Sequence, residues 1–274
     1  MSGTLRITVL GCGSSGGVPR VGGDWGACDR KEPKNRRTRC GLLLERWKGP
    51  PEEGEATTIL IDTSPDLREQ LLAARTTRID AIVYSHDHAD QTHGLDDVRA
   101  LAIRMRQRIP VYLDAPTRAS LEHRFRYIFQ GEGGYPAILS IAGEIAPHAP
   151  LAIDGPGGPL TLLPLPQDHG GVVSLGFRIG RFAYSNDVAQ LPEETLAALH
   201  GLDLWVVDAL RYTPHPTHAH VARTLDWIAA LTPRRTVLTN MHVDLDYATL
   251  VRELPKGVEP AFDGWQAELD PDTV

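Results

Sequence analysis

Cysteine is scarce: Cys12, Cys28 and Cys40 are the whole complement. An odd count without zinc-knuckle spacing argues against a disulfide framework and fits reduced thiols in a cytoplasm. Long apolar runs are also missing. No stretch approaches the ~18 apolar residues of a membrane span, and residues 1–10 lack the basic start and apolar core of a signal peptide. The expectation is a soluble, cytoplasmic protein without a membrane partner. Excess positive charge is absent too. The net charge of -7 speaks against broad nucleic-acid binding, so no extended nucleic acid is expected as partner. One local exception is the stretch carrying Arg30, Lys31, Lys34, Arg36, Arg37 and Arg39, which reads equally as a solvated loop or as a contact for an anionic substrate. Repeats, low-complexity tracts and linkers are lacking as well. At 274 residues the chain can bury a substantial core without staples, and 1–274 is read as one domain.

What is present concentrates in one place. His86, Asp87, His88, Asp90 and His93 fall within eight residues, directly after the apolar run 79–84. Such a run reads as a buried strand, so the cluster sits on a loop leaving a strand end, where rigid scaffolds present reactive groups. Imidazole and carboxylate together form a ligand set for zinc, manganese or iron.

The remaining pattern predicts a strand through Leu5, Ile7 and Val9 that runs into the glycine-rich 11–17 loop. This loop lacks a Walker lysine and is read as backbone approaching a neighbouring site. Strands are expected at 41–47, 57–62, 109–113, 204–207 and 236–239, and a hairpin at 172–184 around Gly180-Arg181. A helix is expected at 66–74, capped by Ser64 or Thr63. Others run through Leu95–Met105 and Leu121–Phe129, and one is opened by Thr217. Residues 146–166 read as loops and short edge strands. Two strand sets with helices around them suggest two stacked sheets with helices outside, an α/β architecture.

Further candidate ligands follow strand ends: His169, Asp187, the trio His215, His218 and His220, and His242. Eight of the 11 histidines belong to these groups and the first cluster. Together they resemble the metallo-β-lactamase superfamily, in the string His86-x-His88-x-Asp90 with a later His, Asp and His after successive strands. Matches at residues 10–19, 61–66, 93–97 and 215–218 are similar to its PhnP-like phosphodiesterase branch. The resemblance implies a four-layer αββα sandwich with the metal site at one edge. It also implies a first ion held by His86, His88, His169 and Asp187. A second would use Asp90, the bridging Asp187, a histidine after Asp90 and one after the last strand. Here the chain departs, because Gln91 stands where the first of these histidines is usual and Asn240 where relatives write the second. His242 is the candidate replacement. Relatives often carry a structural zinc on a cysteine cluster near 22–31. Only Cys28 stands there, and no structural zinc is expected.

The expected cofactor is therefore Zn2+ or Mn2+, one or two ions. Divalent ions lower the pKa of bound water from ~15.7 to about 7, which yields a nucleophile for phosphorus or carbonyl carbon. The resemblance gives Asp90 the task of holding the second ion and orienting the nucleophile, and His218 that of general acid, with His215 a weaker candidate. Asp62, and with it Asp208, is read as orienting a ligand histidine. The function expected is hydrolysis of small or cyclic phosphodiesters by metal-bound hydroxide. Two alternatives stand beside it: an acyl thioester hydrolase of the same fold, and a metal-binding protein with little turnover. Transfer-RNA maturation nucleases are close in motif, but no long basic arm is evident. The expected partner is a small phosphodiester, and relatives are often homodimers.

Overall fold

The computed structural model describes residues 3–51 and 53–270. Strands β1 (Thr4–Gly11), β2 (Gly41–Trp47), β3 (Thr57–Ile61), β4 (Ala81–Val83), β5 (Ile109–Leu113) and β6 (Leu139–Glu144) lie in one sheet. The second sheet holds β7 (Leu151–Ile153), β8 (Leu160–Asp168), β9 (Val173–Ile179), β10 (Phe182–Ser185), β11 (Leu204–Asp208), β12 (Arg235–Thr239) and β13 (Val258–Pro260), and β14 (Trp265–Leu269) returns to the edge of the first. Their orders are β14-β1-β2-β3-β4-β5-β6 and β13-β12-β11-β10-β9-β8-β7. In each sheet an antiparallel half meets a parallel half, at β3 in the first and at β10 in the second.

Alternation in the strands builds the layers. Leu42, Leu44, Ile59, Ile61, Ala81 and Val83 point into the core shared with the second sheet, where Phe177, Tyr184 and Val206 meet them. The intervening Leu43, Leu60 and Ile82 face the opposite way. There they are covered by α1 (Leu67–Ala73), by α3 (Arg99–Met105), which the short α2 (Ala89–Thr92) precedes, and by α4 (Ala115–Arg124) and α5 (Arg126–Gln130). On the second sheet α6 (Glu193–Ala198), α7 (Val221–Leu231) and α8 (Tyr247–Glu253) supply Leu196, Trp227 and Leu250. Side chains of period two thus feed two apolar layers at once. The expected four-layer αββα sandwich is the fold.

Several local expectations need correction. The helix expected through 121–129 is two, because Phe125 leaves the helical region at φ -128 and ψ 34. Neither Ser64 nor Thr63 stands at the cap of α1: Asp66 holds that position without a side-chain capping bond, and Ser64 Oγ accepts from the Asp66 N–H. Residues 95–98 form a 3-10 turn ahead of α3. Thr217 lies outside α7, which begins at Val221: Ala219 is drawn into bonds with Val188 and Leu210, and the Val221 N–H goes to the Arg211 carbonyl. The 146–166 stretch contains most of β8, an interior strand despite Pro164 and Pro166. Beyond Leu162 strand β7 no longer accompanies it. The Pro164 carbonyl there faces away from β9, to the His148 N–H, so the missing proline donors fall on the side where no strand ladder needs them. No helix among the described residues is long and apolar enough to cross a membrane.

Candidate metal centre

Loops leaving the carboxyl ends of β3, β4, β8, β10, β11 and β12 converge at one edge of the sandwich. Open α/β sheets hold ligands in such a crevice. Three of these strand ends close on non-glycine residues with left-handed backbone: Asp62 at φ 64, Asp187 at φ 50 and Asn240 at φ 60. Backbone of this kind is costly and clusters at functional sites.

His86, His88 and His169 bring one ring nitrogen each to within 4.8 Å of one another, and His169, Asp187 and His218 form a second such trio. His88 Nδ1 lies 3.2 Å from His169 Nε2, and His86 Nε2 lies 3.6 Å from Asp187 Oδ2. Tetrahedral ligands at ~2.0–2.1 Å from a zinc ion stand about 3.4 Å apart, so both spacings fit atoms that share one ion. His86 Nε2 is buried and has no hydrogen-bond partner. An orphaned lone pair aimed at a carboxylate is costly without a cation between them. These residues therefore fit one divalent ion.

Their orientation is set from behind. Asp62 accepts the Ser85 N–H at 2.8 Å and the Ser85 hydroxyl at 2.7 Å. Ser85 Oγ must then accept from His86 Nδ1, 3.0 Å away, which leaves the lone pair on Nε2. His169 Nδ1 lies 2.7 Å from the Thr217 carbonyl, an acceptor only, so its Nε2 lone pair likewise faces the site. Gly170, at φ +69, lets Thr217 come this close, since a Cβ there would stand 2.3 Å from Thr217 Cγ2. Gly94 does the same for the first loop: a Cβ would stand 1.9 Å from the Ser64 carbonyl oxygen.

Electrostatics separates the histidines. Burial, with the neighbouring imidazoles, pushes His86 well below its ordinary value. Burial with His218 and His88 lowers His169 despite its bond to Thr217. Both are neutral ligands at physiological pH. For His218 burial acts downward, but the Asp208 carboxylate 2.9 Å from Nδ1, helped by Asp187 and Asp90, carries it up to about 9. In the metal-free protein His218 therefore carries its proton at neutral pH, although it stands in the second trio. Its ring meets His169 and His215 edge-on or tilted, at centroid distances of 4.7 and 5.2 Å. Asp187 is fully buried, and burial followed by Asp90 raises its carboxyl well above the usual range, with His218 opposing. Burial likewise raises Asp62 to about 7.

Gln91 and Asn240 both reach Asp187. Gln91 Nε2 donates to Oδ2 at 2.9 Å, and Asn240 Nδ2 donates to Oδ1 at 2.7 Å. Asp90, half-buried at the start of α2, lies 3.4 Å from Gln91 Nε2. His242, expected to take the place after the last strand, is elsewhere: its Nδ1 pairs with Asp244 at 2.9 Å. Met241 bridges to Gly13, which confirms that the glycine-rich loop packs beside this segment but carries residue 242 past the site. Asn240 is the first residue past β12, where relatives write a histidine, and that was the signal in its favour. Asp208 orients His218, and Asp62 acts through Ser85, a residue the motif reading missed. His215 Nδ1 is held by Thr217, and the ring leans on His218. His220 only precedes α7.

The basic stretch is divided. Arg37 is fully buried against Asn35, Cys28 and the His242 carbonyl, and Lys34 covers the rings of Tyr247 and Phe262. Arg39 pairs with Asp66 at 2.9 Å, and Arg30, Lys31 and Arg36 are exposed. Cys28 packs with Val18 and Val243.

The family model of the beta-lactamase superfamily domain matches residues 57–241, a span holding every ligand described above. The chain belongs to the metallo-β-lactamase superfamily. Membership of this superfamily indicates a hydrolase. A solved structure, a new diphosphatase from the PhnP family, is 34% identical, covers 97% of each chain and superposes with a TM-score of 0.84. This places the metallo-β-lactamase chain on the PhnP branch. Zn(2+)-bound PqqB from Methylobacterium extorquens shares the fold, with a TM-score of 0.69 at 19% identity, over 96% of this chain and all of that one. A curated protein described as an octanoyltransferase, from Porphyromonas gingivalis, is 31% identical over 97% of this chain, which spans only 52% of that protein.

Proposed function

We propose that the chain hydrolyses small phosphodiesters with the help of a divalent ion held by His86, His88, His169 and Asp187. One observation carries this reading: a trio of imidazoles at ion-sharing distances, with an orphaned His86 Nε2, lies directly beside an imidazolium hydrogen-bonded to a buried carboxylate. The 34% identity to a protein called a diphosphatase supports phosphorus as the electrophile, and a diphosphate linkage belongs in the same assay.

The bound ion, Zn2+ or Mn2+, would supply Lewis acidity and water acidic enough to ionise at neutral pH. The residues do the rest. Asp90, half-buried beside Gln91, orients the attacking water and accepts its proton. With Nδ1 committed to Asp208, His218 has Nε2 left to hand a proton to the departing oxygen, and Asp208 steadies the charge it carries before transfer. Arg20 and Arg211 add positive potential near His242, and Arg211 also near His215. That potential attracts a small anion beside His215 and His242.

A second reading, hydrolysis of an acyl thioester, draws on the relative named an octanoyltransferase. The chain matches only about half of that protein, so the name does not assign acyl chemistry to the matched half. Turnover of bis(p-nitrophenyl) phosphate, a nucleoside diphosphate and an octanoyl thioester by the metal-loaded protein separates the readings. Activity confined to the thioester would replace the first by the second.

A further inference from the structure

The two amides at Asp187 stand where a second cation would have to bind. Gln91 Nε2 and Asn240 Nδ2 approach the two carboxylate oxygens at 2.9 and 2.7 Å. These are hydrogen-bond distances, shorter than the 3.2 and 3.6 Å that separate the histidine-side ligand atoms. They are also donor contacts: each N–H takes one lone pair of its carboxylate oxygen and sets the positive end of an amide dipole where a second ion would approach. Gln91 Nε2 further points to Asp90, the remaining carboxylate a second ion would need. Asn240 Nδ2 also lies 3.1 Å from His218 Nδ1, whose own N–H goes to Asp208, so this amide lies beside the Asp208–His218 pair without bonding to it. Both amides are buried, and their dipoles offset part of the charge of Asp187 without a metal.

We infer that this chain holds a single ion, and that Gln91 and Asn240 are positioning residues which take over the second cation's hold on Asp187. The inference rests on the metal-dependent reading above but concerns stoichiometry. The opposite orientation of Gln91 has a physical meaning as well. Its Oε1 is buried without a partner. Turned toward Asp187 it would set two oxygens at about the same 2.9 Å, stable only around an intervening cation.

Metal counting decides between the two. The full chain is stripped with chelator, loaded with Zn2+ or Mn2+, dialysed and measured by elemental analysis, with electron paramagnetic resonance of the Mn2+ form. One ion per chain and an uncoupled Mn2+ spectrum are expected. The Gln91→His/Asn240→His double variant should rise to two ions with a spin-coupled spectrum, and the single Gln91→His variant provides the same test should the double one not fold. Two ions on the unaltered chain, or none, overturn the inference. So does a folded double variant that stays at one. One ion without phosphodiester turnover upholds the single-ion centre and removes only the phosphodiesterase reading.

Discussion

The two sheets supply the centre in different ways. The first contributes His86, His88, Asp90 and Gln91 from one loop after β4, so neighbours in sequence are neighbours in space. The second contributes His169, Asp187, Asp208, His218 and Asn240 from separate strand ends and the segment before α7, and they meet only through the antiparallel pairing of β8 to β10 and the parallel stacking of β10, β11 and β12. The support differs as well. In the loop half a side-chain relay, Asp62 to Ser85, turns His86. In the strand half a main-chain carbonyl, that of Thr217, turns His169. Local chain geometry suffices for the first half, whereas the second needs the whole sheet.

The sharpest way to break this comparison is to remove one imidazole from each half. His88→Ala and His169→Ala should each weaken ion binding by more than about 100-fold, beyond the ~10–100-fold typical of outer partners, as read by metal titration. If only one of them did so, the two halves would not share an ion. Next in size, His218→Ala should keep the ion and lower turnover of a poor leaving group by about 10²–10⁴-fold. Full turnover on such a substrate would remove its role as proton donor. Smaller again is a contrast between the two supports. Ser85→Ala should cost about 10–100-fold in ion affinity, whereas Thr217→Ala, which keeps the carbonyl, should cost little. Equal losses would show that the distinction between relay and carbonyl is wrong.

The smallest effect expected is a pH slope. In the metal-free protein His218 is raised from 6.5 to about 9. Its contribution to stability is complete below pH 6.5 and is lost as pH rises through 9. The melting temperature of the stripped protein should fall across that window, and His218→Gln should reduce the slope. Asp62, raised from 3.8 to about 7, adds loss in the same direction at lower pH. An unchanged slope in His218→Gln would mean that Asp208 does not hold the charge on this ring.

Much of this was legible beforehand, for stated reasons. The loop 84–94 announces itself because three imidazoles and two carboxylates crowd a strand end. Strands β2 and β5 were read at their true bounds, since each is a short stretch that stops at a charged residue, Lys48 and Asp114. The interior strand β8 was hidden by Pro164 and Pro166, whose tolerance depends on where β7 stops. Asn240 against His242 was a question of register. Both follow β12 closely, and the deciding contacts, Met241 to Gly13 and Asn240 to Asp187, join residues far apart in the chain.

Ligand types, superfamily resemblance and the irregular Gln91 were determined by sequence alone, because each depends on residue identity at fixed local spacing. Which nitrogen each histidine turns inward, that Asn240 is the residue at Asp187, and that two amides close on both of its oxygens were decided by tertiary structure. Hydrogen-bond partners such as Ser85, Thr217 and Asp208 act through distance and angle, and those exist only once the two sheets have stacked.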